Sequence, residues 1–132
     1  MKGLRAGIAA TLAVAALGPV ERAVLRRQPV FAPSRIARRL STRAGFPLEH
    51  AQIAGLAMRA TYGPVWAILW SRLSPFRNPL RSALALAASI FVFEELAMPA
   101  AGATPPRASW TTAEHLFVLT QAVTYAAVAV SV

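Results

Sequence analysis

Four apolar stretches, each long enough to cross a bilayer, follow one another along the chain. They occupy residues 4–20, 48–70, 79–98 and 111–132, and a helical crossing needs roughly 17 to 25 residues. Because hydrocarbon offers the backbone no hydrogen-bonding partner, such stretches are expected to be helices. The pattern therefore predicts an all-α membrane protein: a single membrane domain over residues 1–132, with four transmembrane helices in two hairpins.

The first stretch has two interpretations. Its basic start and its Ala-rich run are also typical of a secretory signal. However, Pro19, Glu21 and Arg22 stand where a cleavage site would need small residues. These residues favour a membrane helix that is retained, and the cleaved signal stays as the alternative.

The longest polar connection, residues 21–47, contains seven arginines. Ile36 and Leu40 are four residues apart within it, and Gly45 is a helix-ending residue. This pattern predicts a short basic amphipathic helix over residues 34–44, lying in the headgroup layer between the first two spans. A solvated basic loop is the alternative. The residues expected to contact anionic lipid phosphates are Arg35, Arg38, Arg39 and Arg43.

The composition supports a membrane protein and excludes several classes of function. Apolar residues make up 56% of the 132 residues and charged residues 14%, whereas a soluble domain carries about 25% charged residues. The net charge is +9, but nucleic acid is not an expected partner, because no aromatic residues interleave with the arginines. Anionic membrane lipids are the expected partners, with further copies of the chain as a second possibility.

Cysteine and aspartate are both missing from the sequence, which contains two histidines and five glutamates. Disulfides, cysteine nucleophiles and a Ser-His-Asp triad are therefore excluded. A metal motif such as His-Glu-x-x-His and a Gly-x-Ser-x-Gly elbow are absent as well. We expect no catalytic residue, no metal site and no cofactor, and hence no enzyme.

The acidic residues and the histidines gather on one predicted membrane side. Four spans reverse direction in turn, so the end of each odd span and the start of the next even span share a side. All of the acidic residues and histidines on this side, except Glu21, are candidates for a polar cluster. They are Glu49, His50, Glu94, Glu95, Glu114 and His115.

Helix capping explains part of this cluster. Thr111 followed by Glu114 fits a capping box, and Glu49 is expected in the first turn of its helix, where the helix dipole favours an anion. Glu94 and Glu95 lie instead near the carboxyl end of a helix, where the dipole disfavours a negative charge. Capping does not explain these two residues.

Arg59 is predicted to lie within the second span, where an arginine costs roughly 2.5 to 3.5 kcal/mol on insertion scales. Gly55 and Gly63 are four residues away on either side, on a small-residue stripe that lets helices approach closely. We therefore expect Arg59 to face the bundle and to pair with Glu94, or failing that with Glu95. Those two side chains project about 100° apart, so they are not expected to share a partner. Snorkelling of Arg59 to an interface is the alternative.

The second and fourth spans share a pattern. Each opens with Glu-His and later reaches Thr-Tyr, which suggests two hairpins of one plan. The first copy is Glu49, His50, Thr61 and Tyr62, and the second is Glu114, His115, Thr124 and Tyr125.

Residues 93–106, with a Thr-Pro-Pro connection, and the segment from Trp110 to His115 resemble the YagU-type bacterial inner-membrane proteins. The segment from His50 to Gly63 is also similar to that family. The resemblance implies a multi-pass protein of the bacterial inner (cytoplasmic) membrane with cytoplasmic termini. It implies no biochemical activity, because none is established for the family. The distribution of Lys and Arg favours the opposite orientation.

Two hypotheses about function follow. The first is a small, uncharacterised, non-enzymatic helical bundle, in which a Glu, His and Arg cluster near one membrane face serves packing and assembly with further copies. The alternative is a proton or cation conduit that uses Glu94, Glu95, His50 and His115, with Arg59 as the counter-charge.

Overall fold

A computed structural model describes residues 2–26, 32–46 and 49–132, and the regular secondary structure of these residues is entirely helical. The described residues form five helices: α1 (Lys2–Leu25), α2 (Pro33–Ala44), α3 (Ala51–Leu73), α4 (Pro79–Ala100) and α5 (Thr112–Ser131). A π-helical turn, Phe93–Ala97, lies within α4, and a 3-10 turn, Arg107–Ser109, precedes α5. The prediction of an all-helical chain is confirmed.

Local capping sets several of these boundaries. The Asn78 side chain accepts a hydrogen bond from the Arg81 backbone N–H at 3.1 Å, which fixes the start of α4. Helix α2 ends at Gly45, whose φ of 79° is a left-handed conformation suited to glycine. The predicted start of the second span, residue 48, lies outside the described residues, and its helix begins at Ala51.

Helix α1 is longer than its apolar stretch, which ends at residue 20. The helix continues to Leu25 and includes Glu21, which is buried. The Gln121 side chain of α5 donates a hydrogen bond to the Glu21 carboxylate at 2.7 Å. A polar residue with a partner on another helix can stay inside the bundle, so hydropathy underestimated the length of α1.

Four of the helices form a bundle. Helix α1 lies between α3 and α5, α4 packs on α5, and α2 packs on α3. Helices α1 and α3 approach closely at Gly7, which has no side chain. A side-chain carbon at this position would lie only 2.5 Å from the Pro64 Cα atom. Gly63 similarly lies directly against Thr11, so these two helices run in opposite directions. The small-residue stripe predicted for the second span is confirmed.

The interior is built from small residues and the surface carries large apolar ones. Ala10 and Leu86 are fully buried, and Ala122 and Ala126 nearly so. Large apolar side chains point outward along each of the long helices, as expected where the surroundings are lipid. By length and composition, three of the described helices, α1, α4 and α5, could cross a membrane. The fourth crossing, by α3, stays a prediction.

Candidate functional site

One group of side chains, the Glu95 cluster, joins the end of α4 to the start of α5. It consists of Glu95, Arg107 and His115. The Arg107 Nε atom donates to Glu95 Oε2 at 2.6 Å, and His115 Nδ1 lies 2.7 Å from Oε1. The carboxylate is 3% exposed, whereas the side chains of Arg107 and His115 are 56% and 30% exposed. The cluster therefore holds a buried carboxylate under two polar groups that reach the surface, and it closes the α4–α5 connection.

Glu94, the neighbour of Glu95 in the π-helical turn, faces a different helix. Its Oε1 atom accepts a hydrogen bond from the Tyr62 hydroxyl of α3 at 3.2 Å. Both carboxylates are buried, although they project in different directions. The prediction that they would not share a partner is confirmed.

Arg59 does not pair as predicted. Glu95 is held by Arg107 and His115, and Glu94 by Tyr62. The carboxylate that attracts Arg59 electrostatically is Glu21 of α1. The expected pairing with Glu94 or Glu95 was wrong because α3 turns Arg59 towards α1 and Tyr62 towards α4.

A cavity of about 330 Å³ lies inside the bundle, next to Glu94. All five helices contribute to its walls, which are mostly apolar. Arg59, Tyr62, Gln121 and Tyr125 add polar atoms to the lining. The Oε2 atom of Glu94 is buried and has no hydrogen-bond partner among the described residues. This cavity and its half-satisfied carboxyl group are one candidate site.

The two Glu-His pairs of the sequence repeat do not have equivalent environments. Glu114 makes the predicted capping box, since Thr111 N donates to Glu114 Oε2 at 2.7 Å and Thr111 Oγ1 accepts from Glu114 N at 3.3 Å. Glu49 and His50 are both exposed and precede the first turn of α3. The prediction that Glu49 lies in that first turn was wrong, because the helix starts two residues later. His50 occupies the N-cap position and makes no side-chain capping bond.

A second candidate site, the basic groove, lies on α2. Arg35, Arg38, Arg39, Thr42 and Arg43 line it together with Gly102 from the α4–α5 connection. Its volume is about 480 Å³.

Gly102 contributes one wall of this groove. Its φ of 76° is a left-handed conformation suited to glycine, and the Arg43 side chain occupies the space that a side-chain carbon at this position would need. On the opposite face of α2, Ile36 and Ala37 are buried. Helix α2 is thus amphipathic, as predicted, with its arginines gathered at the edge of the bundle.

Sequence reasoning missed three partners. Tyr62 was recognised only as part of the repeat, Glu21 only as one of the acids on the shared membrane side, and no partner was predicted for Arg107. Each is separated from its partner by a loop or by a whole helix, so no local spacing could identify it. The signal available in the sequence was a Tyr or an Arg on the same predicted membrane side as the acids, which could have been considered as a partner for them.

Neither a search of the described residues for metal-binding groups nor a comparison with known proteins adds a further site. Among residues 2–26, 32–46 and 49–132, no group of three His, Cys, Asp or Glu side chains could hold a metal ion. Comparison of the chain with protein-family models, curated proteins and solved structures found no match. The resemblance to the YagU-type proteins stays a prediction.

Proposed function

We propose that this chain is a non-enzymatic, four-span integral membrane protein of the bacterial inner membrane that binds anionic lipid head groups through the basic groove. The observation that carries the proposal is the groove itself. Three arginines on exposed positions of α2 and a fourth half-buried one converge beside Gly102, while the apolar face of the same helix is buried.

The exposed surface of α3 supports a fourth span. Helix α3 has 23 residues, enough to cross the hydrocarbon layer. Its outward-facing positions include Ile53, Leu56, Val65 and Leu69, all exposed. In water this row of apolar side chains would be unfavourable, whereas lipid accommodates it. Of the two arginines in α3, Arg59 in the middle is attracted electrostatically to Glu21 of α1, and Arg72 lies in the last turn.

The basic groove fits a phosphate-bearing head group. Guanidinium groups bind phosphate through paired hydrogen bonds, and several converging arginines can surround one phosphate. A basic helix at a membrane surface gains about 1 kcal/mol per Lys or Arg from anionic lipid. Helix α2 packs on α3 through its buried face, which brings its arginines next to the α4–α5 connection. We expect this part of the bundle to lie at the head-group level.

The positions of the other polar residues favour a bundle over a conduit. Four residues were candidates for a proton or cation path: Glu94, Glu95, His50 and His115. Glu95 and His115 bind each other at the end of α4, His50 is exposed beside α3, and Glu94 faces the cavity. These four side chains do not form one continuous row, so we assign the Glu95 cluster to helix packing.

The lipid assignment is tested by native mass spectrometry of the protein released from phosphatidylcholine nanodiscs that contain phosphatidylglycerol. We expect Arg38→Gln, Arg39→Gln and Arg43→Gln together to remove most of the bound phosphatidylglycerol. The matched control replaces three exposed arginines at the other end of the bundle: Arg72, Arg77 and Arg81. Equal loss of lipid from both triple variants would show that charge alone, and not the groove, retains the lipid.

The four-span topology is tested separately with reporter fusions. A reporter fused after Arg43 and one fused after Arg107 should lie in the same compartment, because two spans separate them. Reporters in opposite compartments would contradict the topology.

A further inference from the structure

We propose that the cavity next to Glu94 is a binding site for a lipophilic amine, an apolar molecule with one protonated amino group. This inference concerns the interior of the bundle and does not depend on the lipid contacts of α2. The cavity measures about 330 Å³, which is within the range of about 300 to 1,000 Å³ for small-molecule sites.

The walls require a mainly apolar ligand. Val14 and Ile90 contribute aliphatic surface, Met58 and Met98 contribute thioethers, and Trp66 contributes an aromatic face. Apolar walls of this kind bind by removing apolar surface from water or from the lipid interface.

Several polar groups of the wall already have protein partners. Thr11 donates to the Gly7 carbonyl at 2.7 Å, and Gln121 donates to Glu21 at 2.7 Å. The Tyr125 hydroxyl donates to the carbonyl oxygen of Gly63. Glu94 Oε2 differs from them, because it is buried and has no hydrogen-bond donor among the described residues. A ligand that completes the hydrogen bonding of this cavity must therefore supply a donor at Oε2.

Charge favours an ammonium donor over a hydroxyl. A hydrogen bond between an ammonium group and a carboxylate is roughly twice as strong as one between neutral groups. The aromatic side chains of Tyr62, Trp66 and Tyr125 also line the cavity, and aromatic rings attract cations. Arg59, which also lines the cavity, is attracted electrostatically to Glu21. Glu94 is therefore the carboxylate that a cationic ligand would neutralise.

The structure also indicates how such a ligand would enter. Helices α3 and α4 remain farther apart than the other neighbours in the bundle, and they meet chiefly through side chains such as Trp66 and Phe93. Thr61 and Val65 line the cavity and are also exposed on the surface of α3. An amphiphilic molecule dissolved in the bilayer can reach the cavity sideways, between α3 and α4.

The test measures equilibrium binding of radiolabelled 4-phenylbutylamine to the full chain in phosphatidylcholine nanodiscs, with empty nanodiscs subtracted. We expect saturable binding that Glu94→Gln weakens roughly tenfold or more, since a charge-assisted hydrogen bond is lost. The matched control Glu49→Gln removes an exposed carboxylate and should leave binding unchanged. The uncharged analogue 4-phenyl-1-butanol should compete at least about tenfold less well than the amine.

A second variant keeps the proposal testable if Glu94→Gln does not fold. Val65→Phe enlarges a half-exposed wall residue without touching Glu94, and it should weaken amine binding by narrowing the cavity. Three results would overturn the proposal: binding unchanged by both substitutions, equal binding of the alcohol, or equal loss in Glu49→Gln. The first would place the amine in the lipid, and the second would show that an apolar chain alone fills the cavity.

Discussion

Glu94 and Glu95 are adjacent, chemically identical and both buried, yet they lie in two different kinds of environment. Glu95 sits where α4 meets α5, and both of its oxygens have cationic or imidazole partners. Glu94 sits between α3 and α4, with one oxygen bonded to Tyr62 and the other beside a cavity, where none of the described residues donates to it. The difference arises from direction alone, because successive residues of a helix project towards different neighbours.

The two residues show that a buried carboxylate can have either of two roles. A buried carboxylate whose two oxygens both have partners stabilises one arrangement of helices, and removing it breaks that arrangement. A buried carboxylate with an unused oxygen next to empty space costs free energy in the unliganded protein. It therefore favours any ligand that brings a donor. We assign the first role to Glu95 and the second to Glu94.

The same substitution at both positions measures the difference directly, and we expect the largest effect at Glu95. Glu95→Gln weakens the bonds to Arg107 and His115 and should lower the free energy of unfolding by about 2 kcal/mol. Glu94→Gln keeps an acceptor for Tyr62 and should cost less than about 1 kcal/mol. Reversible unfolding in nanodiscs or mild detergent gives both values. Equal losses at the two positions would remove the distinction between them.

Removal of the Tyr62 hydroxyl should have the next largest effect on the free energy of unfolding. Tyr62→Phe leaves the Glu94 carboxyl without its donor, and the free energy of unfolding should fall by about 1.5 kcal/mol. With Glu94→Leu already present, the same change should cost almost nothing, because no buried acceptor is left. A double-mutant cycle measures this coupling. Additive effects would mean that the hydrogen bond between Tyr62 and Glu94 contributes little to stability.

The smallest expected effect is the difference in stability between variants of the two histidines of the sequence repeat. His115→Ala removes one partner of Glu95 and should lower the free energy of unfolding by about 1 kcal/mol, while Arg107 stays bound. His50→Ala changes an exposed side chain and should alter it by less than about 0.5 kcal/mol. The same unfolding assay compares the two variants. Similar losses would imply that His50 has a role like that of His115.

Much of the fold could be predicted because its signals are local. The capping box of Thr111 with Glu114 involves residues three positions apart, so the sequence alone located this helix start. The small residues Gly55 and Gly63 predicted close helix contacts, which the structure confirms against α2 and α1. The partner of Arg59 could not be predicted, because the rotation of α3 between α1 and α4 decides it.

By itself the sequence determined which segments are helices, that the chain is strongly apolar and basic, and that its few acids lie near the ends of its helices. These properties depend on composition and on spacings of a few residues. The tertiary structure decided which acid meets which partner, where the cavity opens and how Arg43 reaches Gly102. These features depend on how far each helix is rotated and how closely it approaches its neighbours, since a rotation of about 100° exchanges adjacent side chains at an interface.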